Sequence, residues 1–229
     1  MTDQMSNLND LLKYIENNNK FSIELPYSKK TVELERYSID SLTTINDIFD
    51  KENNSEIVIE YLKYLFEVII KRLPEDIHYI DFLFSIFSLR EKENPKYKDI
   101  NLTDLLNEIK IKKFETENKT LDITDGPIVY SITTELPTLH RLKKIISAAK
   151  TETKDIIFYN TFKYIKNVNI KIEDKRSSVS SPEDLYQLYN VLSYKTINQL
   201  SSFISTISNN ISNVFQIDIE TDTGFLYNI

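Results

Sequence analysis

Residues 76–90 constrain the fold more than any other stretch: Asp-Ile-His-Tyr-Ile-Asp-Phe-Leu-Phe-Ser-Ile-Phe-Ser-Leu-Arg. Nearly every position between Ile77 and Leu89 is apolar or aromatic, so a helix here is greasy over most of its circumference and has to lie inside the protein. That places it at the core of the N-terminal half. One acid, Asp81, sits within the run. A carboxylate in such surroundings needs a partner, and Arg90 on the same helix, or Lys71 or Arg72 on the preceding one, is the expected cation.

The flanks supply elements to cover this helix. Leu8, Leu11, Leu12 and Ile15 share one face of what is expected to be a short docking helix, ended by Asn17 to Asn19. Phe21, Ile23 and Leu25 alternate with polar residues, the stretch from Pro26 to Lys30 turns, and Val32 and Leu34 alternate again, which predicts a β-hairpin. Ser38 or Asp40 can cap a helix bearing Leu42, Ile45, Ile48 and Phe49, and Ser55 opens another that pairs with the buried helix. That buried helix is expected to start at Pro74-Glu75-Asp76, with acids in the first turn, where the helix dipole favours them. The charged, proline-containing run from Glu91 to Lys98 is the best candidate boundary, dividing residues 1–93 from 94–229 unless the two form one continuous domain.

Beyond the boundary, Ile109, Ile111 and Phe114, then Leu121 and Ile123, then Ile128, Tyr130 and Ile132 read as strands, the last two joined through Asp125-Gly126-Pro127. Leu139, Leu142, Ile145 and Ile146 form one helical face, and Phe158, Phe162 and Ile165 another. Val168, Ile170 and Ile172 alternate, whereas residues 176–181 read as a polar loop. Ser181-Pro182-Glu183-Asp184 starts a helix carrying Leu185, Leu188 and Leu192, and a second helix after Tyr194 is expected to fold back on it as a hairpin. Phe215, Ile217 and Ile219 suggest a closing strand. The predicted class is α+β, predominantly helical, with an N-terminal β-hairpin on a helical pair, then a small antiparallel sheet and further helices.

Composition narrows the chemistry. With no cysteine, disulfides, thiolate zinc sites and a cysteine nucleophile are excluded together, and two histidines make an all-histidine metal site improbable. Only Gly126 and Gly224 are glycine, far apart, which rules out glycine-rich phosphate loops. A net charge of −7 argues against a broad nucleic-acid surface. No apolar run is long enough to span a bilayer, and the first residues do not resemble a secretory signal, so a cytoplasmic location is expected.

Four constellations could carry function. His78 and Asp81 lie one helical turn apart but lack a third ligand, so a capped helix with a satisfied histidine is the simpler reading. Asp218, Glu220 and Asp222 alternate along a strand and could bind magnesium or calcium in a metal-dependent enzyme. Compared with a calcium loop, however, the glycine comes one place late and Ile229 stands where the bidentate glutamate belongs, which favours a solvated strand face. Lys110, Lys112, Lys113 and Lys119 form a basic cluster that could meet a polyanion or guard a strand edge. Tyr186, Tyr189 and Tyr194, around the C-terminal helical hairpin, could form a contact surface or pack the core. No Gly-x-Ser-x-Gly motif is present, and His140 has no identifiable triad partner.

In sum of its landmarks the chain resembles the T4-like phage baseplate hub assembly family. The resemblance begins at Ile23-Glu-Leu-Pro-Tyr-Ser-Lys-Lys-Thr-Val-Glu-Leu, similar to a Leu-Pro-Ser turn between two strands. It continues through Asp81-Phe-Leu-Phe-Ser-Ile-Phe-Ser-Leu-Arg90 and through the strand from Ile128 that leads into Pro137-Thr138. Patterns in the expected order extend it over about residues 21–229. Family members often carry paired cysteines; this chain has none, and no metal site is carried over. The resemblance implies a non-enzymatic protein without cofactor that acts in the host cytoplasm during tail assembly. Its expected partners are baseplate hub proteins or the tape-measure protein, bound in the manner of an assembly chaperone. A permanent subunit of the virion baseplate hub is the alternative. Asp81 and Arg90 would be its structural anchors.

Overall fold

A computed structural model describes residues 8–49, 63–64, 73–93, 119–149 and 153–215. Among these lie seven helices and two antiparallel sheets, an α+β architecture. The N-terminal part contains α1 (Leu8–Asn18), β1 (Lys20–Glu24), β2 (Thr31–Glu35), α2 (Ile39–Phe49) and the buried helix α3 (Tyr79–Glu93). It is followed by β3 (Thr120–Asp125), β4 (Ile128–Thr134), α4 (Leu139–Ala148), α5 (Thr153–Phe162), β5 (Ile165–Ile172), β6 (Lys175–Val179), α6 (Pro182–Val191) and α7 (Tyr194–Phe215). Apart from Lys63 and Tyr64, which are helical, the expected helix from Ser55 falls outside the described residues, as do the strands around Ile109 to Phe114 and the closing strand after Phe215; Phe215 itself ends α7.

The hairpin β1–β2 pairs Phe21 with Leu34 and Ile23 with Val32, and its buried side holds Val32 and Leu34. Its turn is closed by Leu25 N–H to the Lys30 carbonyl at 2.8 Å, with Lys29 in the left-handed region. The second sheet has the order β3-β4-β5-β6, and a two-residue turn with Gly126 at positive φ joins β3 to β4. A left-handed first turn position favours a residue without a Cβ. Ile123, Tyr130, Ile132 and Val168 line the inner face, as their alternation requires.

α3 is as buried as its composition demands: from Tyr79 to Leu89 every residue is in the core. Its two serines are satisfied internally, Ser85 Oγ donating to the Asp81 carbonyl at 2.8 Å and Ser88 Oγ to that of Phe84 at 2.9 Å. The helix starts later than Pro74-Glu75-Asp76 suggests. Residues 74–78 instead form a turn whose backbone pairs with the approach to α4: Tyr79 N–H donates to the Pro137 carbonyl (2.9 Å) and Leu139 N–H to that of Ile77 (2.8 Å). His78 and Thr138 form an isolated bridge there. Buried residues from both sides of this seam belong to one continuous cluster.

Three local expectations are corrected. Residues 175–179 are not loop but the edge strand β6, paired with β5 through the backbone while four of its five side chains face solvent, so no apolar alternation marks it. Ile165 is not on the helical face of Phe158 and Phe162; α5 stops at Phe162 and Ile165 heads β5. Finally, α6 and α7, only two residues apart, spend their faces on other elements, α6 on α4 and α5, and α7 on β3 and α5. The start of α6 follows its sequence signal: Ser181 Oγ accepts Asp184 N–H at 3.1 Å, with Pro182 in the first turn.

Candidate functional site

Asp81 is fully buried, and among the described residues its partners are peptide groups. Oδ1 accepts the N–H of Tyr27 at 2.8 Å and Oδ2 that of Ser28 at 3.0 Å. Placed in the first turn of α3, the carboxylate also meets the positive end of the helix dipole. These are two charge-assisted bonds to peptide groups, partners that a count of side chains along the sequence does not offer. Around this joint the Tyr27 and His78 rings meet edge-on, 4.9 Å apart, and Lys30 Nζ pairs with Asp76. The pairing with Lys30 holds the Asp76 carboxyl below its ordinary range. The side chain of Arg90, and Lys71 and Arg72 altogether, lie outside the described residues. His78 Nδ1 is buried with no hydrogen-bond partner, and since the Asp81 carboxylate is occupied by the turn, the two do not form a ligand pair.

The three tyrosines separate. Tyr189 is 7% exposed and packs against Phe158 and Phe162, with ring centroids 5.5 and 5.6 Å away. Tyr186 is half-buried edge-on to Phe158, and its hydroxyl donates to Asp155 Oδ1 at 2.8 Å. Both belong to the packing between α5 and α6. Tyr194 alone is open, 81% exposed at the start of α7 beside the equally open Val191. Sequence periodicity cannot make this distinction, because Tyr186 and Tyr189 face a helix, α5, that lies more than twenty residues away in the chain.

A broader apolar surface lies on α1. Leu8, Leu11, Leu12 and Ile15 are between 43% and 68% exposed, and Tyr14 beside them 55%. No residue of α1 is buried. The helix is mounted on the hairpin through Asn19, whose carbonyl accepts Arg36 N–H at 2.9 Å, and it rests lightly on β1. The apolar stripe of this docking helix therefore meets water.

No family model, curated protein or solved structure matches this chain. Its own geometry is what bears on function. Asp218, Glu220, Asp222, Lys110, Lys112 and Lys113 lie outside the described residues, while Lys119 stands at the head of β3, its carbonyl accepting Thr134 N–H at 2.9 Å. Among the described residues no three of His, Asp and Glu converge as a metal site, and no helix is long and apolar enough to cross a membrane. A cavity of about 10 Å³ between the second sheet and α6 and α7 is lined by Tyr130, Ile132, Leu188 and Leu200 among others. Its volume is that of roughly one water, and its lining is apolar.

One buried group escaped sequence reasoning. Lys163, 4% exposed, lies between α5 and β5 with its Nζ over the rings of Tyr159 (4.5 Å), Tyr79 (4.8 Å) and Tyr164 (5.3 Å). The signal that could have found it is a lone lysine between Phe162 and Tyr164 in an otherwise apolar stretch.

Proposed function

We propose that this protein is a non-enzymatic tail assembly protein of a contractile-tailed phage, which binds baseplate hub proteins or the tape-measure protein during morphogenesis. We assign the engagement of that partner to α1. The reading rests on the resemblance together with one observation, the apolar stripe of α1 left open to water. Covering a side chain of this kind completely is worth about 1.5–3 kcal/mol, so closing four half-open ones yields about 3–6 kcal/mol. That suits reversible docking of an amphipathic helix against an apolar helical partner, as an assembly factor requires. Further support comes from the segments that carry the resemblance: the turn within residues 23–34 and the helix within residues 81–90 are in direct contact through Asp81.

The test is affinity capture of the tagged chain from infected cells, with the double variant Leu11→Glu, Leu12→Glu in parallel. Recovery of a hub or tape-measure protein, lost in the variant, is the expected result. Absence of both from the wild-type capture overturns the role; equal recovery with the variant overturns the assignment to α1. Mass spectrometry of purified tails separates a transient factor, depleted there, from a permanent subunit. Tight magnesium or calcium binding abolished by replacing Asp218, Glu220 and Asp222 would instead favour the metal-dependent alternative.

A further inference from the structure

Lys163 occupies a position where an ammonium is hard to keep. It follows α5 directly, and its Nζ is enclosed by tyrosines from two places in the chain: Tyr79 opens α3, while Tyr159 and Tyr164 flank the end of α5. The one hydrogen bond it makes is long, 3.4 Å to the Tyr79 hydroxyl. The Tyr159 hydroxyl is buried beside it and interacts with that of Tyr79. Among the described residues, the carboxylates of the surrounding elements are engaged elsewhere, Asp81 of α3 by the Tyr27 and Ser28 N–H groups. Asp155, two turns earlier on α5, accepts from Tyr186, and Glu135, whose N–H donates to the Tyr164 carbonyl, pairs with Arg141 at 3.5 Å. From α7 the groups nearest this junction are hydroxyls, Ser201 beside Thr161 and Ser208 beside Tyr164.

We propose that Lys163 and its three tyrosines form a pH-sensitive latch that joins α3, α5 and β5 when the amine is neutral and loosens when it takes up a proton. Ring faces attract an ammonium, but they do not replace its hydration shell, and with no carboxylate in the cage among the described residues the loss of water dominates. Burial accordingly brings the Lys163 amine down to about 7. Burial also pushes the hydroxyls of Tyr79, Tyr159 and Tyr164 up, so none of them becomes a counter-ion near neutrality.

The sign follows from proton counting. In the opened chain the lysine holds its proton up to about 10.5, and in the closed cage only up to about 7. Between these values the opened state binds one more proton, so stability rises with pH across this window and the penalty is complete below about 7.

Chemical denaturation of the full chain and of Lys163→Met between about pH 7.5 and 9.5 tests this, a window in which carboxylates and histidines no longer titrate. The wild-type folding equilibrium constant, divided by that of the variant, should rise about tenfold per pH unit. A ratio independent of pH overturns the latch. Should the methionine variant fail to fold, selective ¹³C labelling of the lysine side chains of the wild-type protein decides the question. One resonance titrating near neutrality is expected, and titration of every lysine above about pH 10 overturns the proposal.

Discussion

Helices α1 and α4 carry nearly the same message and meet opposite fates. Leu8, Leu11, Leu12 and Ile15 form one apolar stripe, and Leu139, Leu142, Ile145 and Ile146 another. In α4 all four residues are at most 2% exposed; in α1 none falls below 43%. The difference lies in how each helix is mounted. α4 is seized at its N-terminus: Leu139 and His140 donate to the carbonyls of Ile77 and Glu75, Thr138 Oγ1 accepts Arg141 N–H, and α6 packs along the helix. Among the described residues, the backbone anchors of α1 lie at its C-terminal end, in the Asn19 turn beside β1. An amphipathic stripe states that something must cover it, and not whether the cover belongs to the same chain.

The comparison is broken most forcefully in the core. Leu142→Ala should cost about 2–5 kcal/mol in denaturant unfolding, since the buried side chain leaves a cavity that cannot collapse. A loss below about 1 kcal/mol would mean that the face of α4 is not the structural one. Asp81→Ala should cost about 2–3 kcal/mol, because two charge-assisted bonds to the hairpin turn go and two peptide N–H groups lose their acceptor. Hydrogen exchange should locate that damage in β1, β2 and the mount of α1, with α4 still protected. An Asp81→Ala chain that folds with unchanged stability yet fails in tail assembly would contradict the structural role of Asp81. Thr138→Ala, which removes the cap of α4, should cost about 1 kcal/mol. Smallest of all, Leu11→Ser and Leu12→Ser should each change stability by less than about 0.5 kcal/mol, as exposed substitutions do. A loss of several kcal/mol there would show that the stripe is covered within the chain after all, and would remove the argument for a partner at α1.

Asp81 and Lys163 differ in an equally instructive way. Both sit in greasy surroundings where a charge needs help. Asp81 gets it from two peptide groups of a turn more than fifty residues away, and among the described residues Lys163 gets ring faces and one long bond. Side-chain inventory offered Arg90, Lys71 or Arg72 as partners for Asp81, whose cationic groups lie outside the described residues, and could not offer the turn amides, because only side chains can be counted along a sequence. Backbone amides are everywhere, and which of them a turn leaves free depends on its three-dimensional course. The fate of the tyrosines has the same cause. Tyr189 is sealed by Phe158 and Phe162 of α5, while Tyr194, a few residues on, has no helix opposite it.

What the sequence determined by itself was local, or forced by hydrophobicity. The burial of α3 follows from its composition, the β1–β2 and β3–β4 hairpins from alternation with turn residues between, the face of α4 from its spacing, and the start of α6 from Ser181 and Pro182. Each depends on residues within one or two turns of chain, where steric and hydrogen-bonding preferences act directly. Only the tertiary structure decided that β6 is a strand, that Asp81 binds a turn, that Lys163 lies in a tyrosine cage and that α1 stays open. Those outcomes depend on which distant groups arrive opposite, and a periodic pattern carries no information about what it will face.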